Sequence, residues 1–348
     1  MEAETAGSAE AGQDTTDGYA IFRLNPLFLT FFRVHALIAR MKSLQTLLNN
    51  VIDYAGLFPP AKLDMQQAVE NYSNYLKSEY AWMLGRFIIP TSRLQEFEHS
   101  FRSVMNASGG KPWNLAVLAG PNLSDDVTLI QGFNARHSGN GVCIDTFEMK
   151  GSSPQEIPNH VIPSDSITAY MEIPIEEDPT PLVEAIGRIG ARAKMRTGGI
   201  SENLFPTSTN LVRFMSACVQ AGVPFKATAG LHHPVRARYR LTYENDSPSA
   251  MMYGFLNILL TAAFISSGLE NQEAVRLLEE QDSRAFRFDE GGVTWNGQRL
   301  PVAAISNARA TVAISFGSCS FAEPVDELMK LGFLGLNARE KSSPEQRA

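Results

Sequence analysis

Short apolar segments alternate with amphipathic segments along most of the chain, and this alternation restricts its fold more than any other feature. The clearest unit covers residues 191–233, where two strand-like segments flank a segment in which Leu211, Phe214, Met215 and Cys218 recur at helical spacing. Two strands that are joined by a helical crossover are parallel. Repetition of such units predicts an α/β protein with a parallel sheet.

Eight apolar segments of this kind follow one another in the sequence. They are centred on Ile52, Phe87, Leu115, Val142, Tyr170, Ala193, Phe225 and Ile314. Because eight strand and helix units close a (β/α)8 barrel, we predict a single TIM-barrel domain over residues 41–338. A doubly wound open sheet is the alternative, but no GxGxxG dinucleotide fingerprint follows the first strand.

Three parts of the chain fall outside this regular pattern. Residues 231–310, between the seventh and eighth predicted strands, are far longer than one helix requires, and we expect a large insertion there that covers the barrel mouth. Residues 1–40 join an acidic start to an interrupted apolar run, which we interpret as a disordered N-terminal extension. We interpret residues 339–348, which are rich in charge, as a disordered tail.

The chain carries a net charge of −7, which argues against nucleic acid or an anionic membrane surface as a partner. Its apolar runs are also too short to cross a membrane. Cys143, Cys218 and Cys319 lie far apart and form no CxxC pair, which fits a reducing compartment. We therefore expect a cytoplasmic protein, and we leave open whether it forms a homo-oligomer.

Two lysines occupy matching places on consecutive predicted strands, and each is followed within a few residues by glycine. These are Lys194 and Lys226, just before the loops that build the active site in a barrel. Residues around these strand ends and around the last strand are our candidates for substrate binding. They are Arg196, Thr197, Gly198, Gly199, Thr228, Gly230, His232, His233, Gly317, Ser318 and Ser320.

An amine is a nucleophile only when it is unprotonated, and burial or a nearby positive charge lowers its pKa. We expect the barrel interior, Arg196 and Lys226 to act on Lys194 in this way, so that it forms a Schiff base with a carbonyl substrate. Asp53, Asp145 and Glu172 also lie at strand ends and, with Lys226, are our candidates for proton transfer. The alternative for each carboxylate is an ion-pair network that neutralises the lysines. This chemistry requires neither a metal nor a cofactor.

The last predicted strand leads into a glycine and two serines before a helix for which Pro324 is a suitable first residue. Such an arrangement predicts an anion site, and the alternative is a serine-capped helix. The bulky loop Leu231-His232-His233-Pro234 should crowd a phosphate bound there. We therefore expect a small substrate that bears a carboxylate or a weakly held phosphate, with His232 or His233 as a polar contact.

Four motifs resemble those of the deoxyribose-phosphate aldolase family, and they occur in the same order along the chain as in that family. Lys194-Met-Arg-Thr-Gly resembles the family's Lys-x-x-Thr-Gly strand, and Phe225-Lys-Ala-Thr-Ala-Gly is similar to its next strand, Val-Lys-Ala-Ser-Gly-Gly. Phe316-Gly-Ser-Cys-Ser resembles the family's phosphate loop, and Ile52-Asp-Tyr-Ala-Gly-Leu-Phe-Pro resembles its opening strand. The resemblance implies a Schiff-base lysine at Lys194 and a second active-site lysine at Lys226. Asp145 matches the family's catalytic aspartate only loosely, and Leu231-His-His-Pro replaces its glycine-rich phosphate turn.

The leading interpretation is a class I aldolase or related carbon–carbon lyase that acts on a small aldehyde or keto compound through Lys194. A different class of enzyme would use His232 and His233 with Asp145 or Glu172 to hold a divalent metal. Adjacent histidines on an extended segment point in opposite directions, which counts against that class. A third alternative is a barrel that has lost catalysis and acts as a binding protein.

The interpretation of residues 1–40 predicts that they are dispensable for folding. A chain that begins at Met41 should be soluble and should keep the melting temperature of the full chain, as measured by circular dichroism. A decrease of several degrees would show instead that the apolar run packs on the barrel.

Overall fold

The computed structural model describes residues 42–104, 111–159 and 166–335. Our interpretations of residues 1–40 and 339–348 therefore lie outside the described residues. The strands in the described part of the chain are β1 (Ile52–Tyr54), β2 (Leu84–Pro90), β3 (Trp113–Leu118), β4 (Val142–Lys150), β5 (Thr168–Glu172), β6 (Arg192–Arg196), β7 (Phe225–Thr228), β8 (Ala237–Arg240), β9 (Ser249–Met252), β10 (Arg287–Phe288), β11 (Gly292–Trp295), β12 (Gln298–Pro301) and β13 (Ala313–Ser318).

The α-helices of the described residues lie before the first strand, between the strands and after the last of them. They are α1 (Lys42–Leu48), α2 (Met65–Lys77), α3 (Leu94–Val104), α4 (Leu123–Arg136), α5 (Thr180–Arg188), α6 (Ser208–Ala221), α7 (Phe255–Ser266), α8 (Asn271–Leu278), α9 (Val302–Thr311) and α10 (Ala322–Lys330). In the ranges that the structure describes, none of these helices has the combination of length and apolar character that crossing a bilayer requires.

Eight parallel strands close into a ring, which confirms the predicted (β/α)8 barrel. Their order around the ring is β1, β13, β7, β6, β5, β4, β3 and β2. The first and last barrel strands pair directly, with Ile52 opposite Phe316 and Tyr54 opposite Ser318. All eight carboxyl ends therefore lie at one end of the barrel, which is the end where barrel enzymes carry their active sites.

Helix boundaries follow local capping chemistry. The Asp64 side chain accepts a hydrogen bond from the Gln67 amide at 2.8 Å and so caps α2. The Thr207 side chain caps α6 in the same way, and Gly222, with φ of 63°, ends that helix in the left-handed conformation that glycine adopts at little cost. These caps fix where each helix returns the chain to the barrel, and hence where the next strand starts.

The insertion between β7 and β13 was expected to cover the barrel mouth, and its parts lie at different places on the barrel. The antiparallel pair β8 and β9 lies at the mouth, where Leu241 and Met252 line the same cavity as Lys194. The next helix, α7, packs against α6 and β13 and so takes the place of an ordinary barrel helix.

The remainder of the insertion lies near the opposite end of the barrel. The sheet of β10, β11 and β12 packs against α1 and α9, and the Ser43 hydroxyl donates a hydrogen bond to the Asp289 carbonyl at 2.6 Å. Since α1 leads directly into the amino end of β1, this sheet lies away from the mouth. Tertiary packing of its apolar face, which local sequence patterns do not reveal, determines that position.

Because α7 supports the last barrel strand, weaker packing between α7 and β13 should destabilise the whole barrel. Phe255 of α7 and Phe316 of β13 are fully buried and stack with ring centroids 4.9 Å apart. We expect Phe255→Ala to lower the free energy of unfolding by about 3 to 5 kcal/mol, as measured by urea denaturation.

Leu129→Ala is the matched control, because Leu129 is 47% exposed on α4 and its truncation should change the free energy by less than about 0.5 kcal/mol. Equal effects of the two substitutions would contradict the supporting role of α7.

Candidate active site

The carboxyl ends of the barrel strands open into a cavity of about 480 Å³, a size that suits a small-molecule ligand. Its walls are largely apolar, with Phe58, Pro59, Pro60 and Ile88 among the lining residues. Lys194 lines its interior, and the Lys194 side chain is only 6% exposed. A buried ammonium beside an otherwise apolar wall requires compensating charge nearby.

Glu148 on β4 supplies much of that charge and joins the two lysines. One carboxylate oxygen, Oε2, lies 2.8 Å from the Lys194 Nζ, and the other, Oε1, lies 2.6 Å from the Lys226 Nζ. Glu172 on β5 is a second partner of Lys194, with 2.9 Å between Oε2 and Nζ. Two carboxylates therefore contact the candidate nucleophile, and one of them is shared with the second lysine.

Asp53 on β1 completes the network below the cavity. Its Oδ2 accepts hydrogen bonds from the Lys226 amine at 2.5 Å and the Ser315 hydroxyl at 2.7 Å, while its Oδ1 accepts one from the Arg86 amide at 2.9 Å. A Cβ atom on Gly85 would lie 2.4 Å from Asp53 Oδ1, so only glycine allows this close approach. Lys226 and Asp53 are almost completely buried and do not line the cavity, whereas Glu148 does.

The electrostatics of this network differ from the expectation that Lys194 has a lowered pKa. Burial alone would lower the pKa of Lys194, but Glu148 and Glu172 outweigh burial and raise it. Asp53 and Glu148 likewise raise the pKa of Lys226 despite its burial. Burial would raise the pKa of Glu148, yet the two ammonium groups bring it down to about 2. Both lysines are therefore charged before a substrate binds, and the prediction was wrong because the carboxylates outnumber the neighbouring cations.

Asp145 was expected to act near the lysines, but its carboxylate pairs with Arg86 at 2.6 and 3.0 Å instead. The cause is a register shift in β4, where Leu115 and Ala116 pair with Ile144 and Thr146 and leave Asp145 without a partner across the strand. Such a bulge reverses which residues face inward.

Glu148 is the member of this charged network that the sequence interpretation did not select. Thr146, Glu148 and Lys150 alternate with Phe147 and Met149, which belong to the apolar core. This period of two predicts that the three polar side chains share one face. The signal was therefore present in the sequence, three positions beyond the aspartate that was chosen.

Two cationic side chains lie at the edge of the cavity. The Arg196 side chain is half exposed and lies 3.6 Å from the Glu172 carboxylate. Lys150 is exposed and forms no ion pair with any residue in the described ranges. The rim therefore offers positive charge to a substrate, while the charged groups of the floor are paired with one another.

Several predicted binding residues instead hold the strand-end loops together. The Thr197 hydroxyl donates to the Ala229 carbonyl at 2.6 Å, and Ala229 has the left-handed φ of 62° that is uncommon for alanine. A Cβ on Gly198 would lie 2.4 Å from the Phe205 ring, so this glycine serves close packing. These contacts position the loops that follow β6 and β7.

The predicted anion site at the end of β13 is engaged with protein groups. The Ser318 hydroxyl lies 3.2 Å from His232 Nδ1, and the Ser320 hydroxyl accepts a hydrogen bond from the Glu323 amide at 3.1 Å. The helix α10 begins at Ala322, so Pro324 is its third residue rather than its first. Glu323 in the first turn adds negative charge, which disfavours an anion there.

The two adjacent histidines were expected to point in opposite directions, but both reach α10. His232 Nδ1 lies 3.5 Å from the Glu323 carboxylate, and His233 Nδ1 lies 2.8 Å from the Glu327 carboxylate. Burial, followed by His233, lowers the pKa of His232 to about 4, so His232 is neutral near neutral pH. Neither histidine meets Asp145, which is bonded to Arg86, or Glu172, which is bonded to Lys194.

The predicted site residues thus divide into two groups by their position relative to the cavity. Those that line it are Lys194, Glu172, Arg196, Gly199, Thr228, Gly230, His232 and Gly317. Those that do not are Asp53, Lys226, Asp145, Thr197, Gly198, His233, Ser318 and Ser320.

Comparisons with protein-family models, with curated proteins and with solved structures find no match to this chain. The closed parallel barrel is established, and the resemblance to deoxyribose-phosphate aldolases stays a hypothesis that rests on four short motifs.

The bridging position of Glu148 predicts a large loss of stability when its charge is removed. We expect Glu148→Gln to lower the free energy of unfolding at pH 7 by about 3 to 5 kcal/mol, because two buried ammonium groups lose a shared partner. The native pKa of Glu148 lies below its usual 4.5, so its contribution is present above pH 4.5 and is lost as pH falls towards about 2. The difference between wild type and variant should shrink over that range in urea denaturation.

Glu96→Gln is a suitable control, since the Glu96 side chain is 49% exposed beside Arg93 and should contribute at most about 1 kcal/mol. A difference between wild type and Glu148→Gln that stays constant from pH 7 to pH 3 would argue against the bridge.

Proposed function

We propose that this protein is a class I aldolase or related carbon–carbon lyase that forms an imine between Lys194 and a small aldehyde or keto compound. One observation carries the proposal: the Lys194 amine borders the cavity with two carboxylates within 2.9 Å, and one of these links it to a second buried lysine. An amine so placed can receive a carbonyl substrate, and acids and bases lie within hydrogen-bond distance of it.

The charge of the site suits both the free enzyme and the intermediate. An ammonium group and a carbonyl compound combine to give an iminium ion and one molecule of water, so the charge on Lys194 is +1 before and after the reaction. Glu148 and Glu172 can therefore stabilise the iminium ion as they stabilise the ammonium group. Because these groups are already in place, little reorganisation is needed during the reaction.

Attack requires that Lys194 first lose a proton, and Glu172 is the better acceptor of its two partners. Glu148 is shared with Lys226 and its pKa is about 2, so it is a weak base. The neutral amine adds to the carbonyl carbon, and its second proton moves to the carbonyl oxygen. The protonated Glu172 then donates its proton as the hydroxyl leaves as water, and the iminium remains.

Cleavage of the carbon–carbon bond would use the same carboxylate. Glu172 is ionised again once water has left, so it can accept the proton of the substrate's β-hydroxyl group. The electrons of the breaking bond pass to the iminium, which gives an enamine and an aldehyde. Lys226 takes no direct part in these steps, since it keeps Glu148 ionised and lies below the cavity.

The rim and the walls support a substrate that carries a carboxylate. Lys150 and Arg196 offer positive charge at the edge, and the apolar walls suit a short carbon chain. A phosphate near α10 would instead meet the carboxylates of Glu323 and Glu327. A 2-keto acid or an aldehyde acid therefore fits this site better than a sugar phosphate.

The proposal predicts a covalent adduct at one lysine. Borohydride reduction in the presence of a panel of small aldehydes and 2-keto acids should add a fixed mass to the peptide that contains Lys194, as measured by mass spectrometry. Lys194→Ala and Lys194→Arg should both abolish the adduct, because a guanidinium group stays protonated and does not form an imine.

Lys150→Ala is the matched control, because it removes an exposed lysine of the same cavity and should leave the adduct at Lys194 intact. Two results would refute the assignment of Lys194 as the nucleophile. One is a label that is lost in the Lys150→Ala variant, and the other is the absence of a label with every compound of the panel.

A further inference from the structure

A second cluster of charged and imidazole side chains lies outside the lysine network. It consists of His233, in the loop after β7, together with Glu323 and Glu327 of α10, and its ligand atoms all lie within 4.8 Å of one another. We propose that these three side chains form a binding site for a divalent transition-metal ion such as Zn²⁺. The site is separate from the imine chemistry of Lys194 and does not depend on it.

The backbone brings these groups together for simple geometric reasons. Residues four apart on a helix share a face, so Glu323 and Glu327 present two carboxylates in the same direction. The loop after β7 approaches that face, and His233 Nδ1 lies 2.8 Å from Glu327 Oε1. The neighbouring His232 lies 3.5 Å from Glu323, so four potential donor groups meet across one interface.

The cluster has unbalanced negative charge. The Glu323 and Glu327 side chains are only 26% and 23% exposed. Within the described ranges, neither carboxylate forms an ion pair with a lysine or an arginine, and the charge of Lys330 acts on Glu323 only through space. A divalent cation would balance the charge of both carboxylates at once.

The donor set indicates the class of metal. One imidazole nitrogen and two carboxylate oxygens suit Zn²⁺ or Mn²⁺ better than an oxygen-only cation such as Mg²⁺. A Zn²⁺ ion bound at about 2.0 to 2.2 Å requires donor atoms roughly 3.4 Å apart. The His233 and Glu327 atoms lie closer than this, at 2.8 Å, so the glutamate side chains would rotate to admit the ion. A metal ion held by Nδ1 of His233 would leave the ring proton on Nε2.

Aromatic residues of the β8 and β9 hairpin hold the ligands from the other side. The Tyr239 ring stacks on His233 with centroids 3.4 Å apart, and the Tyr243 hydroxyl donates a hydrogen bond to Glu323 at 3.0 Å. Partners of this kind orient metal ligands. A bound ion would therefore fasten the hairpin to α10 at the barrel mouth, next to His232, which lines the lysine cavity.

The test uses the full chain freed of metal by a chelator and then titrated with Zn²⁺. Calorimetry should give one ion per chain, and hydrogen exchange of residues 237–252 should slow when the ion binds. Cobalt(II) should give the visible absorption of a site with nitrogen and oxygen donors and low coordination number. These readouts do not depend on enzyme activity.

Variants separate this site from adventitious binding. Glu327→Gln, which keeps the size and shape of the side chain, and His233→Ala should each weaken Zn²⁺ binding at least tenfold. Asp326→Asn, one position away on the same helix, and Lys194→Ala should both bind Zn²⁺ as the wild type does. Absence of Zn²⁺ binding to the wild type, or binding that survives Glu327→Gln, would overturn the proposal.

Discussion

The bridge that Glu148 forms between two lysine ammonium groups is the interaction on which the rest of the site depends. Transferring a single charge into a barrel interior is very costly, and a pair is tolerated only when its geometry satisfies every group. Here five strands each contribute one member, namely Asp53, Glu148, Glu172, Lys194 and Lys226. The network carries three carboxylates against two ammonium groups, and this ratio keeps both lysines charged.

Sequence patterns were sufficient for the architecture and for four of the five members of the network. The alternation of strands and helices predicted the barrel. The places of Lys194 and Lys226 on consecutive strands predicted that both face the barrel mouth, and Lys194 lines the cavity whereas Lys226 lies below it. The choice of Asp145 over Glu148 was wrong because a bulge, which depends on pairing with β3, reverses the inward face of β4. The direction of the lysine pKa shifts could not be predicted either, since it depends on which carboxylates approach in three dimensions.

The insertion shows a second limit of local patterns. An apolar helix gives no information about which surface it will cover. In the structure α7 packs on β13, and only the β8 and β9 hairpin reaches the mouth. The two adjacent histidines were misjudged for a related reason: the alternation of side chains holds for an extended strand, whereas His232 and His233 lie in a loop that turns both towards α10.

Pairing between the first and last barrel strands has a consequence for how the chain reaches its native state. Asp53 receives hydrogen bonds from Lys226 and Ser315, which are 173 and 262 positions away. Contacts of such separation form slowly, because the entropy of closing the chain between them must first be overcome. A ribosome-bound chain that lacks its last strand would have Lys226 and Asp53 without Ser315 and without a closed wall. Closure of the ring and assembly of the buried charges therefore belong to one cooperative step late in folding, after the last strand has been synthesised.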